Sequence, residues 1–269
     1  MSNNREILFN NYLKIPKEFL IDSYISKEKF YNFGSLNSAD KKLFKNYVRQ
    51  IKWCYRFHNR KINIPPYFDD KRRYGEVEVC NIILKDENIS KSASEDKFFN
   101  EDKKIDKIVE IVLRLITFPQ ILVVQYRSMI RIFTSHLSVN LIDSKKRTLD
   151  QIISTKNWID TKNINDLECT LFNNIQIENL SHGNFYEFYN SFIENVIKYN
   201  ASLMIGDEVE LPADELKEIN DRIELLKNEI KSLRIDLKRA TQPRIESKIN
   251  NEIRIRRIEI RDLEKKLEE

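Results

Sequence analysis

Two carboxylates at alternate positions, in Glu76-Val77-Glu78, are the residues of this chain best suited to chemistry. An extended strand turns residues 76 and 78 toward one face. Asp70 lies shortly upstream and Lys85 downstream. Acids grouped with a lysine are how metal-dependent nucleases hold Mg²⁺ and steady the charge that develops on a phosphate. The spacing argues against that use here. In such sites the lysine follows the second acid by two residues, whereas Lys85 follows Glu78 by seven. Both acids also sit at the outer end of a strand, where solvated charge is ordinary. A metal-dependent nuclease or nucleic-acid-binding module built on Asp70, Glu76, Glu78 and Lys85 is therefore kept as an alternative reading.

Other reactive side chains form no recognisable constellation. His58, His136 and His182 are far apart, and none has a second ligand three or four residues away, so no zinc site is expected. Ser128 and Ser181 lie in no nucleophile-elbow context. The three cysteines, Cys54, Cys80 and Cys169, form no CxxC pair, and an odd count argues against a disulfide framework. Cys80 falls in an apolar strand, a poor setting for a thiolate. With four glycines in the whole chain, a Gly-rich phosphate loop has no material. No cofactor and no metal are expected, and the chain reads as an uncertain enzyme at best, more a binding protein than a catalyst.

Basic residues cluster at Lys71-Arg72-Arg73, beside Tyr67, Phe68 and Tyr74. Cations interleaved with aromatic rings can contact phosphates and stack on bases, so Lys71, Arg72 and Arg73 are the candidate nucleic-acid residues against the plainer reading of a solvated loop. Over the whole chain, 46 Lys/Arg nearly cancel 42 Asp/Glu, leaving +4. Residues 211–269 hold 15 basic against 14 acidic groups, so neither half is a basic pole. Nothing in the sequence reads as a signal peptide or a span of the roughly 20 apolar residues a bilayer requires. The expectation is a cytoplasmic protein with no membrane partner.

The elements that must position these groups follow from periodicity. Asn37-Ser38-Ala39-Asp40 predicts a helix start, with the helix running through Leu43, Phe44, Tyr47 and Val48. Ile51, Trp53, Tyr55 and Phe57 then alternate with polar residues, predicting a strand with one buried face. Residues 76–84 predict a central strand, and residues 86–104 a polar loop. Ile105, Ile108, Val109, Val112, Leu115 and Ile116 share a helical face that ends at Phe118-Pro119. Residues 120–126 and 129–135 predict a hairpin turning at Arg127-Ser128. Phe19–Ile25 reads as one or two helical turns, residues 140–182 as loop or short helix with a short strand near Trp158, and Phe185–Tyr199 as a helix. The fold class is α+β: a mostly antiparallel sheet in residues 1–205, with helices covering one face.

Residues 212–269 are a different object. Leu216, Ile219, Ile223, Leu226, Ile230, Leu233 and Leu237 repeat with 3-4 spacing, the seam of a coiled coil. After Thr241-Gln242-Pro243 the pattern resumes at Ile249, Ile253, Arg256, Ile260, Leu263 and Leu267. Two arms flanking a proline predict an antiparallel helical hairpin about 40 Å long. Leu225, Ile235, Ile255 and Ile258 fall off the seam, so the apolar stripe is wider than two helices cover. A second hairpin, a partner chain or the protein's own domain would cover the remainder, and the seam residues are the candidate interaction surface.

The order of several short segments resembles a known family. Ile15-Pro16-Lys17, Lys27-Glu28-Lys29-Phe30-Tyr31, Ile51-Lys52-Trp53-Cys54-Tyr55, Ile62-Asn63-Ile64, Glu76-Val77-Glu78-Val79, Phe118-Pro119 and Phe185-Tyr186-Glu187-Phe188-Tyr189 are similar to segments of the bacterial domain-of-unknown-function family 4391. So is the second arm's start, with Gln242, Arg244, Glu246, Lys248 and Asn250; residues 161–182 look like an insertion and Pro243 departs from the pattern. The resemblance implies no established activity. It implies a place beside a helicase and a DNA methyltransferase in loci that look like anti-phage defence. The expected role is a non-catalytic accessory subunit of such a restriction-like system. Its partners would be a second copy of itself or a helicase or methyltransferase subunit, with nucleic acid reached through the complex.

Overall fold

The computed structural model describes residues 13–33, 36–86, 95–140, 147–239 and 242–268. The chain divides into two compact units, Met1–Val196 and Ile197–Glu269.

The first unit is a mixed sheet between two helical layers. A 3-10 turn, Lys17–Phe19, leads into β1 (Leu20–Ile25), followed by α1 (Lys27–Phe33), α2 (Ser38–Tyr47) and β2 (Val48–His58). The helical reading of Phe19–Ile25 is thus corrected to a turn and an edge strand. All six strand residues are exposed or half-exposed, four of them pair with β2, and Asp22 sits at φ 50, where the register slips. Asn37 caps α2 as the sequence predicts, its side chain accepting from the Asp40 N–H at 2.9 Å.

A short helix α3 (Asn59–Ile62) and a two-stranded ribbon, β3 (Tyr67–Phe68) and β4 (Arg73–Tyr74), precede β5 (Glu76–Leu84). Helix α4 (Glu95–Leu115) then crosses to β6 (Gln120–Tyr126), which lies parallel to β5. The predicted loop therefore shrinks: α4 begins at Glu95, and residues 87–94 fall outside the described residues. Strand β7 (Met129–Val139) returns antiparallel to β6, through a turn in which Arg127 has φ 55. Strands β8 (Arg147–Ser154) and β9 (Ile159–Asp160) both pair with β7, giving the path β1-β2-β5-β6-β7-β8. Every sheet pairing except β5–β6 is antiparallel. Strand β8 is an edge strand with half-exposed residues, so it carries no clean alternation for the sequence to reveal. Trp158 lies between β8 and β9, its Nε1 donating to Asp102 at 3.1 Å.

Helix α4 seats Ile105, Ile108, Val109 and Val112 against Cys80, Ile82, Leu122 and Val124, together with Phe30 and Phe44 from α1 and α2. The opposite face is covered too, which corrects the expectation of a single helical layer. Helix α6 (Phe185–Ile205), which follows α5 (Asp166–Asn174), sets Phe188 on Phe57 with ring centroids 5.6 Å apart. A bulge makes this possible. In β2, Trp53 opposes Cys80 but Tyr55 opposes Val79, so Cys54 is an extra residue. One inserted residue exchanges the two faces of a strand. Ile51 and Trp53 thereby face α4, while Tyr55 and Phe57 face α6, and the four aromatic and aliphatic residues do not share one surface.

The second unit contains the end of α6, closed by Gly206 at φ 82, and the hairpin of α7 (Ala213–Arg239) and α8 (Pro243–Glu268). Pro243 opens α8 at the first helical position, where its missing donor costs nothing. Ion pairs Arg222–Glu259 at 2.6 Å and Arg256–Glu229 at 2.5 Å run in opposite residue order, which makes the arms antiparallel. Among the described residues no helix is long and apolar enough to cross a membrane.

Candidate functional site

Arg56 and the acids of β5 form a partly buried charged group in the first unit. Register places Arg56 opposite Glu78 and His58 opposite Glu76, and cross-strand neighbours of opposite charge attract. The Arg56 Nη2 donates to Glu78 Oε1 at 3.3 Å, and its Nε lies 3.6 Å from Glu76 Oε1. The guanidinium also rests over the Trp53 ring, 4.4 Å from its centroid. The bulge allows this contact, because it brings residues 53 and 56 to one face.

Glu78 is 1% exposed. Burial pushes its carboxyl up to about 8, Arg56 pulls it down, and Glu76 adds to the rise. A carboxyl uncharged at neutral pH and engaged by an arginine is a weak ligand for a hard cation. Lys85 stands seven residues on, just past the end of the strand, roughly 23 Å from Glu78 at about 3.3 Å per residue. Asp70 is exposed in the β3–β4 turn. The strand thus brings Glu76 and Glu78 together with Arg56 but does not bring Lys85 to them. Among the described residues no three His, Cys, Asp or Glu side chains are grouped to hold a metal ion.

The three basic candidates divide. Asp69 organises their turn, accepting from the Lys71 and Arg72 N–H groups at 2.7 and 2.5 Å and from the Tyr67 hydroxyl at 2.7 Å. That hydroxyl bond holds Asp69 below the ordinary carboxylate range. Arg72 turns inward to Asp150 at 2.8 Å and Ser138 Oγ at 2.9 Å. Lys71 and Arg73 remain exposed beside Phe68, itself 64% exposed.

Sequence reasoning passed over an aromatic cluster under this ribbon. Tyr74 and His136 are in ring contact with each other and each with Tyr186 and Tyr189. His136 bonds Tyr74 through Nδ1 at 2.6 Å and Asn190 through Nε2 at 3.2 Å. The Tyr189 hydroxyl donates to the Gln120 carbonyl at 2.6 Å and accepts from the Ser135 N–H at 3.1 Å. It bridges β6 and β7 just past the Leu122–Phe133 pair. The only signal in the sequence was the aromatic density of Phe185–Tyr189. His58 and His182 lie on other elements, the latter bonding the Ile177 carbonyl at 2.9 Å.

The hairpin's seam is internal. Leu216, Ile219, Ile223, Leu226, Ile230, Ile253 and Leu267 are buried, while Leu233, Leu237, Ile249, Ile260 and Leu263 are half-buried. Arg256, the polar member of the seam, satisfies its charge on Glu229 and on the Glu252 carbonyl, while its stem stays in the seam. The residues that face outward are those off the pattern: Leu225, Ile235, Ile245, Ile255 and Ile258, each 44–52% exposed. Leu225 and Ile255 each precede a seam position by one residue. In antiparallel arms that turns both to the same flank, and the two ion pairs set Ile255 level with the stretch 226–230, just beyond Leu225.

No curated protein matches this chain, and no solved structure does. A family model does match, over residues 13–260 of the 269, and so spans both the sheet and the hairpin. On that match, the chain belongs to DUF4391, a domain family of unknown function.

Proposed function

We propose that this protein is a non-catalytic accessory subunit of a bacterial anti-phage, restriction-like DNA-defence assembly, and that two copies pair through their hairpins. The observation that carries the pairing is the open apolar flank. Leu225 and Ile255 lie outside the seam, with Ile235, Ile245 and Ile258 also exposed. Two helices with one seam leave such a stripe uncovered, and a second hairpin closes it as a four-helix bundle. A segment carrying 15 basic and 14 acidic groups meets its own copy without net repulsion. The place in a defence assembly, beside a helicase or methyltransferase, follows from the family resemblance. The cytoplasm is the matching compartment.

Light scattering of the full chain tests the pairing. A mass of two copies, twice 32.3 kDa, is expected at micromolar concentration. Substituting Leu225→Glu and Ile255→Glu together is expected to halve it without loss of helicity. A single-copy mass across a wide concentration range would sink the proposal. In a phage-plating assay of the intact locus, the same double substitution is expected to lower protection.

A second reading has one observation in its favour. Phe68, Lys71 and Arg73 form an exposed aromatic-basic tip on the β3–β4 ribbon, suited to contact nucleic acid within the assembly. Filter binding of the Lys71→Ala/Arg73→Ala variant at two salt concentrations tests it; unchanged retention would remove it. The nuclease alternative draws no support from an arrangement in which Glu78 is buried on Arg56 and Lys85 stands at the far end of the strand.

A further inference from the structure

Two hollows meet at Trp53. One, about 340 Å³, is an apolar chamber walled by Ile25, Phe30, Leu115, Ile116 and Phe118 and reaching Glu78. The other, about 430 Å³, is a cleft carrying Arg56, His58 and Lys61. Trp53 and Ser23 line both. We propose that they form one bipartite site for a small amphipathic organic anion, its ring or short acyl chain in the chamber and its anionic head in the cleft.

Four observations support this reading. The chamber is of binding-site size and mostly apolar with a few polar points, the usual make-up of a small-molecule pocket. A dry cavity of about 150 Å³ already takes benzene, so 340 Å³ has room for two fused rings. The cleft is lined by Arg56, His58 and Lys61; Arg56 is paired with Glu76 and Glu78, whereas the Lys61 ammonium rests on the Glu18 carbonyl, a partner that carries no opposite charge. Two buried donors, Trp53 Nε1 on the shared wall and Arg56 Nε in the cleft, have no hydrogen-bond partner, the Glu76 carboxylate lying 3.6 Å from the latter. Orphaned buried donors are costly and uncommon, and the oxygens of an anionic head are the acceptors they lack. Glu78 adds to this, since a carboxyl pushed up to about 8 presents no buried negative charge to the ligand at neutral pH.

Calorimetric titration of the full chain with 1-naphthyl phosphate, 1-naphthol and inorganic phosphate is the test. Naphthyl phosphate is expected to bind one to one, naphthol about tenfold more weakly, a difference worth one well-placed charge interaction, and phosphate alone not measurably. Lys61→Gln with His58→Gln is expected to bring naphthyl phosphate down to the naphthol level while leaving naphthol unchanged. Ser23→Trp, at an exposed edge-strand position shared by both hollows, is expected to abolish both. Thr117→Trp, which narrows the chamber alone, serves if the first variant does not fold. No saturable binding at millimolar ligand would overturn the proposal. So would equal affinity for naphthol and its phosphate, or binding that neither tryptophan reduces.

Discussion

Replacing Glu78 by glutamine isolates the most perturbed acid of the sheet. Folded Glu78 titrates near 8, against 4.5 for the unperturbed group. Below the lower value both states carry the proton, and the interaction costs nothing. Between the two, the folded chain binds more protons than the unfolded chain, so stability falls as pH rises. The slope is at most about 1.4 kcal/mol per pH unit, and across the whole window the loss approaches about 5 kcal/mol. Structural relaxation around the carboxylate lowers this figure, so about 2–5 kcal/mol is the expected range. Glutamine has the same shape, keeps an acceptor for Arg56 and does not titrate. Urea unfolding of both proteins at several pH values between 4.5 and 8.5 reads the difference directly. Near pH 4.5 the two should be close, and the glutamine variant should gain steadily on the wild type toward pH 8. Parallel curves would refute the reasoning. A wild type that gains on the variant as pH rises would show that Arg56 outweighs burial and holds Glu78 ionised.

Two further perturbations probe the core. Tyr189→Phe removes the hydroxyl that joins Gln120 to Ser135 and leaves two buried backbone groups unpaired, so a loss of about 1–3 kcal/mol is expected in urea unfolding; a loss below about 0.5 kcal/mol would count against the bridge. Burial pushes the Cys54 thiol up to about 12 and Cys80 well above its ordinary value, whereas Cys169 is partly exposed. Ellman's reagent should therefore modify Cys169 first and reach the other two only on unfolding; rapid modification of Cys54 or Cys80 in the folded protein would contradict the assignment.

Much of the secondary structure was legible because local pattern and tertiary demand agree. The Asn37 cap, the apolar face of α4 and the hairpin of β6 and β7 turning at Arg127-Ser128 are local signals that burial reinforces. The readings that failed did so where tertiary context supplies what the segment lacks. Strand β8 is polar and half-exposed and exists by pairing with β7. Strand β1, with its apolar run, imitates a helical turn until β2 offers it backbone partners. Of the candidate chemistry, the sequence placed Glu76 and Glu78 on one face but could not supply Arg56, twenty-two residues away from Glu78 and opposite it only through the β2–β5 register.

By itself the sequence determined the rods and their seam, since a 3-4 repeat of apolar residues around a proline leaves helices few other ways to bury them. It also determined which residues the hairpin could not use, Leu225 and Ile255 among them. Only the tertiary structure decided the character of the strand acids. One extra residue in β2 exchanges the faces beyond Trp53, and this sets Arg56 over the indole and against Glu78. Burial then takes the charge from a carboxylate that the sequence offers as a metal ligand. The physical reason is range. Periodicity records which face of an element is apolar, whereas the state of a titratable group depends on what distant segments bring within a few ångströms of it.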